Sequence, residues 1–219
     1  MRCFCIPSLL VTPFLLITLA PRVGAQATKP AESASQPPPS AAPTAAELSK
    51  KETVSSAFLR NFQYMEYGVR SAAEAMPEEK YGYRPAEGKF KNEKPEFGPA
   101  EVRTFAQQVK HVAAVNYILG ASILGEKPPV ELGGENGPDS IKTKADAVKF
   151  LKDSFAYFHK AVASINAGNL TAPIRNPFGE NMVSRLWIAT LNIGHCFDHY
   201  GQMAEYLRMN SIIPPASRQ

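Results

Sequence analysis

The sequence predicts an all-α protein built as a four-helix bundle with long loops, preceded by a signal peptide and a disordered linker. Two observations predict this fold class. Four segments of the 219-residue chain repeat their apolar residues every three or four positions, which is the period of an amphipathic helix. No alternating run of β-branched residues exceeds four, so strand signals are almost absent. Four amphipathic segments joined by turn-rich connections are typical of helix bundles.

The first 25 residues have the layout of a secretory signal peptide. Arg2 precedes an apolar stretch over residues 6–20, and a cluster of small residues follows as a cleavage site. This stretch has 15 residues and contains Pro13, whereas a membrane-spanning helix needs about 20 apolar residues. We therefore expect an exported protein, periplasmic or secreted, with no stable membrane span after cleavage. Retention of the leader as an uncleaved anchor is the alternative.

Residues 26–45 are expected to form a Pro/Ala/Ser-rich linker, since these three residue types occupy 14 of its 20 positions. The segment contains no aromatic or branched aliphatic residue, so it cannot bury enough surface to offset the entropy of ordering. The folded domain is therefore expected over residues 46–215. Cys196 is the only cysteine in that range, which excludes an internal disulfide. We interpret Cys196 as a small buried thiol on a helix rather than as a nucleophile.

Helix 1 is expected to begin at a capping box, either Thr44 with Glu47 or Ser49 with Glu52, and to stop at Pro77. Its apolar residues form one stripe. They are Phe58, Phe62, Met65, Val69, Ala72 and Met76. A loop rich in proline and glycine follows, up to about residue 100.

The three other helices are expected over about residues 100–124, 144–167 and 182–209. Gly125 and a Pro-Pro pair end helix 2, and a Gly-rich loop leads to helix 3. The stripe of helix 2 comprises Phe105, Val109, Val112, Asn116 and Leu119. The stripe of helix 3 comprises Val148, Leu151, Phe155, Phe158, Val162 and Ile165. Another Pro-punctuated stretch precedes helix 4, which a second Pro-Pro pair closes.

The histidines are the residues most able to carry chemistry. His195 and His199 are four residues apart on helix 4, a spacing that places two imidazoles on one face about 5–6 Å apart and lets them bind one metal ion. His111 lies in the middle of helix 2 and adds a third ligand if helices 2 and 4 are neighbours. The spacing alone leaves open that these are hydrogen-bonded core histidines. We expect His159, on helix 3, to be a surface or flank residue.

Three segments of the chain resemble the DinB-like (damage-inducible) metal-binding four-helix bundle proteins, which are distinct from the DNA polymerase that shares the name. They are TFAQQVKHVAAVNYILG, KADAVKFLKDSFAYFHKA and LNIGHCFDHYGQMAEYLRMNSIIPP. The resemblance covers roughly residues 58–215, and its most specific part is the histidine pair with the Gly-Gln and Pro-Pro pairs that follow. In that family one histidine of helix 2 and two of helix 4 ligate a divalent metal. The resemblance therefore implies that His111, His195 and His199 are metal ligands.

Three neutral imidazoles leave at least one coordination position open, which is typical of catalytic rather than structural zinc sites. Imidazole suits zinc, nickel, copper and iron, and we expect zinc or nickel. Such an ion can lower the pKa of bound water or hold a thiol as thiolate. Gln202, one turn after His199, is a candidate to orient a ligand or substrate, or else a polar residue at the mouth of the bundle. Asp198 is expected to be a surface charge and not a fourth ligand.

Two classes of function are compatible with such a site. Members of the family include metal-dependent transferases that activate the thiol of a small cofactor, and others are described as metal-dependent hydrolases. Export favours the hydrolase, because thiol cofactors of that kind are kept in the cytosol. The alternative is a non-catalytic protein that binds a metal or a small ligand, since the sequence shows no unmistakable acid, base or nucleophile. The catalytic residues and the small-molecule substrate are not identified by the sequence.

The charge balance argues against a nucleic-acid partner. The chain has 24 basic and 20 acidic residues, and loss of the leader with its two arginines leaves a net charge of +2. The positive charges are scattered rather than clustered. The basic and aromatic segment 81–84, with three lysines after it, is expected to be a solvated loop near the opening of the bundle. A homodimer is neither required nor excluded, although similar proteins commonly dimerise.

Overall fold

The computed structural model describes residues 52–85 and 102–218. The predicted all-α four-helix bundle is confirmed for these residues, while the expected signal peptide and linker lie outside them. The helices are α1 (Val54–Ala75), α2 (Phe105–Leu124), α3 (Lys144–Ala163) and α4 (Arg185–Met209). Single 3-10 turns at Glu78–Lys80 and Pro215–Ser217 follow α1 and α4. Within the described ranges, none of the helices is both long and apolar enough to cross a membrane.

Each helix of the bundle packs mainly against two others. Both α1 and α2 pack against α3 and α4, so α1 and α2 lie across the bundle from each other. The centre of the core contains an aromatic cluster in which the ring of Phe62 lies 5.3 Å from Phe155 and 4.6 Å from Phe158, centroid to centroid. The predicted apolar stripes face this core, with only Phe58 partly exposed. The adjacency of α2 and α4 brings the histidine-bearing helices together.

The start of α1 differs from the sequence prediction. Thr53 has an extended backbone and its hydroxyl accepts a hydrogen bond from the Ser56 amide at 3.1 Å, while the Ser56 hydroxyl accepts one from the Thr53 amide at 2.9 Å. This reciprocal pair is a capping box with serine in place of the expected glutamate. Thr44 and Ser49, the predicted starts, lie outside the described residues; within those residues the helix that carries the apolar stripe begins at Val54, later than predicted.

The start of α2 also lies later than predicted, at Phe105 rather than near residue 100. Thr104 and Gln107 form a capping box, in which the Thr104 hydroxyl accepts from the Gln107 amide at 3.2 Å and the Gln107 side chain accepts from the Thr104 amide at 2.7 Å. The two residues satisfy free amides of the first turn, so the helix begins there. At the other end Gly125 adopts φ 72°, the left-handed conformation of a helix C-terminus.

The end of α3 comes at Ala163, four residues before the predicted end at 167. Asn169 accepts a hydrogen bond from the Asn166 amide through its side-chain oxygen at 2.9 Å and donates one to the Ser164 carbonyl at 2.9 Å. These local bonds compete with the helical ones and form a turn. The apolar pattern nevertheless continues past the helix, because Ile165 is fully buried.

A short hairpin precedes α4, and the sequence did not predict it. Strand β1 (Pro173–Arg175) pairs antiparallel with β2 (Met182–Ser184), with Ile174 opposite Val183. The sequence predicted residues 182–184 to be the first turn of helix 4. They form a strand instead. The hydroxyl of Ser184 accepts from the Trp187 amide at 3.1 Å and caps the helix. Cross-strand pairing decides the conformation of this three-residue segment, since its own pattern is too short to do so.

The predicted solvated loop at residues 81–84 is partly built into the core. Tyr81 is 6% exposed, and its hydroxyl donates to the carbonyl of Ala73 at 2.6 Å. The backbone carbonyls of Tyr81 and Tyr83 accept hydrogen bonds from the amides of Ala106 and Phe105. The prediction is wrong for Tyr81, which ties the end of α1 to the start of α2. The lysines at 89, 91 and 94 lie outside the described residues.

Candidate metal centre

Three imidazoles converge where α2 faces α4. His111 lies on α2, and His195 and His199 lie one turn apart on α4. The Nε2 atoms of His111 and His195 are 3.1 Å apart, and one nitrogen from each of the three rings lies within 4.8 Å of the other two. His199 is buried, and the other two rings are partly exposed. The structure thus brings together the three histidines singled out in the sequence.

The ring of His111 has a defined tautomer. Its Nδ1 atom lies 2.5 Å from the backbone carbonyl oxygen of Glu135. A carbonyl oxygen only accepts hydrogen bonds, so Nδ1 carries the proton and Nε2 presents a lone pair. This lone pair points toward the other two rings and suits a metal ion.

The Gly-rich loop before α3 supplies this carbonyl because it is clamped onto α2. Lys110 donates to the Pro138 carbonyl at 2.9 Å, and Arg103 donates to the Asn136 side chain at 2.9 Å. Gly137 adopts φ 74°, and a Cβ atom there would lie 2.5 Å from the Cβ of Lys110. Only glycine fits such a close approach at positive φ. From the sequence this loop was predicted only to connect two helices, and its role at the site was not.

His199 is held by a second acceptor, the side chain of Gln108 on α2. The Gln108 Oε1 atom lies 2.7 Å from His199 Nδ1, and the Gln108 Nε2 atom donates to Gln202 Oε1 at 2.6 Å. Gln202 in turn donates to Asp198 Oδ2 at 2.9 Å. Gln202, the predicted orienting residue, therefore reaches His199 only through Gln108. Gln108 was not among the site residues predicted from the sequence, although its position three residues before His111 places it on the same face of α2.

His195 differs from the other two rings. Its Nε2 atom faces His111, while its Nδ1 atom is buried and has no hydrogen-bond partner among the described residues. The ring is positioned by packing within the cluster and by its place on α4. It contributes the third nitrogen to the shared space between the helices.

The electrostatics of the cluster keep all three rings neutral at neutral pH. Burial lowers the pKa of His195 to about 3, and His199, His111 and Arg103 lower it as well. Burial lowers the pKa of His199 to about 4, with His111 adding to the effect. The pKa of His111 is also lowered, chiefly by burial. Three converging nitrogens that resist protonation are a donor set that fits a divalent metal ion, for which imidazole must be neutral.

Arg103 supplies a positive charge beside the cluster. Its guanidinium donates to Glu135 Oε2 at 3.3 Å, and its side chain is 28% exposed. Its backbone carbonyl accepts a hydrogen bond from the Tyr206 hydroxyl at 2.8 Å, which holds it next to α4. Arg103 could not be identified from the sequence, because this residue lies before the start of α2 and its contacts with Glu135 and Asn136 exist only in the folded loop.

The remaining candidates lie outside the cluster. Asp198 is exposed and does not join the three histidines. His159 is a flank residue, 26% exposed, and its Nε2 atom lies 2.6 Å from Glu66 Oε2, which joins α3 to α1. Cys196 is fully buried, and burial raises the pKa of its thiol to about 12, with the charge of Glu66 adding to the shift. A buried thiol with a raised pKa is not a reactive nucleophile. This agrees with the interpretation of Cys196 from the sequence as a small buried thiol on a helix.

Comparisons with known proteins agree with this architecture. The family model described as the DinB superfamily matches residues 61–203. Six chains of solved structures match the fold. One is a crystal structure of a DinB-like protein from Bacillus cereus, with a TM-score of 0.55 and 15% sequence identity, covering 72% of this chain and 93% of that one. No curated protein matches the chain.

Proposed function

This chain belongs to the DinB superfamily, and from that premise we propose that His111, His195 and His199 bind one divalent metal ion, zinc or nickel. The observation that carries the proposal is the convergence of three neutral imidazole nitrogens within 4.8 Å. Two of the rings have their Nδ1 atoms committed to acceptors, Glu135 and Gln108, which leaves their Nε2 lone pairs for the ion. Three ligands leave at least one coordination position for a further ligand.

Metal analysis tests the site directly. After incubation with zinc or nickel and removal of free ion, the wild-type protein should retain about one equivalent, because three ligands converge on one point. His195→Ala should reduce retention to background. His159→Ala is the matched control, since it removes a histidine that lies outside the cluster, and should retain as much metal as wild type. Retention below about a tenth of an equivalent by wild type would reject the site.

We further propose that the site is catalytic, as a metal-dependent hydrolase. A divalent ion in an open three-histidine site supplies Lewis-acid activation of water or of a substrate carbonyl. The observation that favours catalysis over simple binding is the position of Arg103, whose guanidinium donates to Asn136 and to Glu135 on the loop that holds His111. Its charge lowers the pKa of each histidine, after the larger effect of burial. A cation near the histidine cluster suits a substrate that is anionic or develops negative charge on oxygen.

Turnover assays separate the hydrolase from the alternatives. The metal-loaded protein should hydrolyse members of a panel of small carboxylic esters and amides, and Arg103→Gln should lower kcat/KM by about tenfold to a hundredfold. Glutamine is chosen rather than alanine because Arg103 also donates to Asn136, and a glutamine side chain keeps a hydrogen-bond donor at this position. Turnover of electrophiles with small thiols, but not of esters or amides, would favour a transferase. Metal binding with no turnover of either panel would favour a non-catalytic binding protein.

The proposed setting is outside the cytosol, on a small molecule rather than a nucleic acid. The support is the leader-like pattern of residues 1–25 and the low, scattered positive charge of the remainder. Sequencing the N-terminus of protein recovered from the periplasm or medium of an expressing bacterium should find a chain that begins near residue 26. Recovery of the whole chain only from the cytosol would contradict this setting.

A further inference from the structure

We propose that the exposed carboxylate of Asp198 sets the tautomer of the buried His199 ring, acting through the side chains of Gln202 and Gln108. In this arrangement Asp198 is a positioning residue for the histidine cluster, although it contacts none of its rings. The consequence for metal affinity rests on the proposed function, whereas the consequence for the tautomer does not.

The inference follows from the direction of the hydrogen bonds. An ionised carboxylate only accepts, so Gln202 must turn its NH2 group toward Asp198, at 2.9 Å, and its oxygen toward Gln108. Gln108 must then donate to that oxygen, at 2.6 Å, which turns its own oxygen toward His199. His199 Nδ1 lies 2.7 Å from this oxygen and must carry the proton. The Nε2 atom of His199 is thereby left unprotonated.

Burial strengthens the effect of the hydrogen bond between Gln108 and His199 on the ring. Gln108 is 2% exposed and His199 is 5% exposed, so water does not offer an alternative partner at the inner end. Hydrogen bonds in such a shielded chain polarise one another. Reversal of either amide would place two acceptors or two donors face to face, which is costly for buried groups. The orientation imposed at the surface therefore extends to the buried ring.

One further contact bears on the orientation of Gln108. Burial raises the pKa of Tyr206, and a hydrogen bond with Gln108 partly offsets the shift. The Tyr206 hydroxyl donates to the Arg103 carbonyl at 2.8 Å, so its oxygen is available to accept from the same NH2 group. With its one proton on that carbonyl, Tyr206 favours the same orientation of Gln108 as Asp198 does, but the hydroxyl can reverse by giving up the Arg103 bond and donating to Gln108. The carboxylate of Asp198 has no proton to donate, so it cannot reverse.

The decisive variant is Asp198→Asn, which keeps the size of the side chain but adds a donor. An asparagine NH2 group can donate to Gln202, and the whole chain can then reverse: Gln108 donates to His199 Nδ1, the ring proton moves to Nε2, and Tyr206 turns its proton from the Arg103 carbonyl to Gln108. We expect nitrogen NMR of the metal-free protein to show His199 protonated at Nδ1 in wild type and substantially at Nε2 in the variant. His111 should keep its Nδ1 proton in both, because a backbone carbonyl holds it.

Metal affinity gives the second measurement. Asp198→Asn should weaken zinc binding about tenfold, since loss of an outer partner of a ligating histidine costs about 10- to 100-fold. Glu205→Gln is the matched control: it removes the same charge from the exposed side of the same helix and should change the affinity less than twofold. Tyr206→Phe should leave the His199 tautomer unchanged.

The outcomes are distinct. An unchanged His199 tautomer in Asp198→Asn would overturn the inference, as would a change of tautomer in Tyr206→Phe alone. If Asp198→Asn does not fold, Gln202→Met interrupts the same chain and should also release the Nε2 tautomer. If wild type binds no metal, the proposed function fails, but the NMR comparison still decides whether Asp198 controls the ring.

Discussion

His195 has the least supported ring nitrogen in the cluster. Its Nδ1 atom is buried with no hydrogen-bond partner among the described residues, whereas the Nδ1 atoms of His111 and His199 each have an acceptor. A charged imidazole in this position would lack a partner for its second proton and would face two other rings. Its pKa is therefore lowered to about 3, by burial first and by the neighbouring histidines next.

This pKa predicts how the stability of the metal-free protein depends on pH. The unfolded chain binds a proton at His195 below its ordinary pKa of 6.5, and the folded protein does so only near pH 3. The free energy of unfolding should therefore fall as the pH falls between these values, by about 1.4 kcal/mol per pH unit from this residue. Urea titrations at pH 7, 6 and 5 with chelator present measure it. His195→Gln should show a shallower decline, and an equal decline in both proteins would contradict the prediction.

At the scale of elements, α2 is bounded by strong signals at both ends. The Thr104–Gln107 capping box begins it and Gly125, in the left-handed conformation, ends it. These ends determine the axial position of Gln108 and His111 opposite α4. Gly194, inside α4, has no comparable structural role, because a Cβ atom there would meet nothing within 4 Å.

Two glycine substitutions should therefore have opposite effects on stability. Gly125→Ala should lower the free energy of unfolding by about 1 kcal/mol, because alanine is strained at φ 72°. Gly194→Ala should raise it by about 0.5–1 kcal/mol, because alanine is the better residue in a helix interior. Thermal or urea unfolding of the two variants beside wild type gives both signs. A loss of stability in Gly194→Ala would show that α4 needs its glycine for packing or function.

At the scale of the whole molecule, the core and the histidine cluster depend on different contacts. The core is joined by the aromatic rings of Phe62 on α1 and of Phe155 and Phe158 on α3. The cluster lies between α2 and α4 and is held by polar contacts to the Gly-rich loop and to Gln108. Stability and metal affinity should therefore be separable.

Phe155→Ala tests this separation. Removal of a fully buried ring should cost about 3–5 kcal/mol of unfolding free energy, while the zinc affinity of the protein that remains folded should change less than threefold. Phe178→Ala is the control, since this ring is 56% exposed in the hairpin loop and its loss should cost no more than about 0.5 kcal/mol. Calorimetry of unfolding and of zinc binding provides the two measurements. A loss of zinc affinity that parallels the loss of stability would contradict the separation.

The helices and their buried faces could be predicted from the sequence because both are local properties. A repeat of three and four residues identifies a helix and its apolar stripe without knowledge of any partner, and Phe62, Val112 and Phe155 are buried as that repeat requires. The helix starts were less predictable. Several residues near each start can cap a helix, and neighbouring segments decide which of them does, as the pairing of residues 182–184 with β1 shows.

The sequence by itself determined the fold class, through its periodicity, and singled out three histidines, through one helical spacing and a family resemblance. Only the tertiary structure decided what surrounds those rings. The carbonyl of Glu135 reaches His111 from the Gly-rich loop, the side chain of Gln108 reaches His199 across from α2, and the charge of Arg103 acts from the segment before α2. The physical reason is that a tautomer or a pKa depends on the partners that folding brings within hydrogen-bond distance, and these need not be neighbours in sequence.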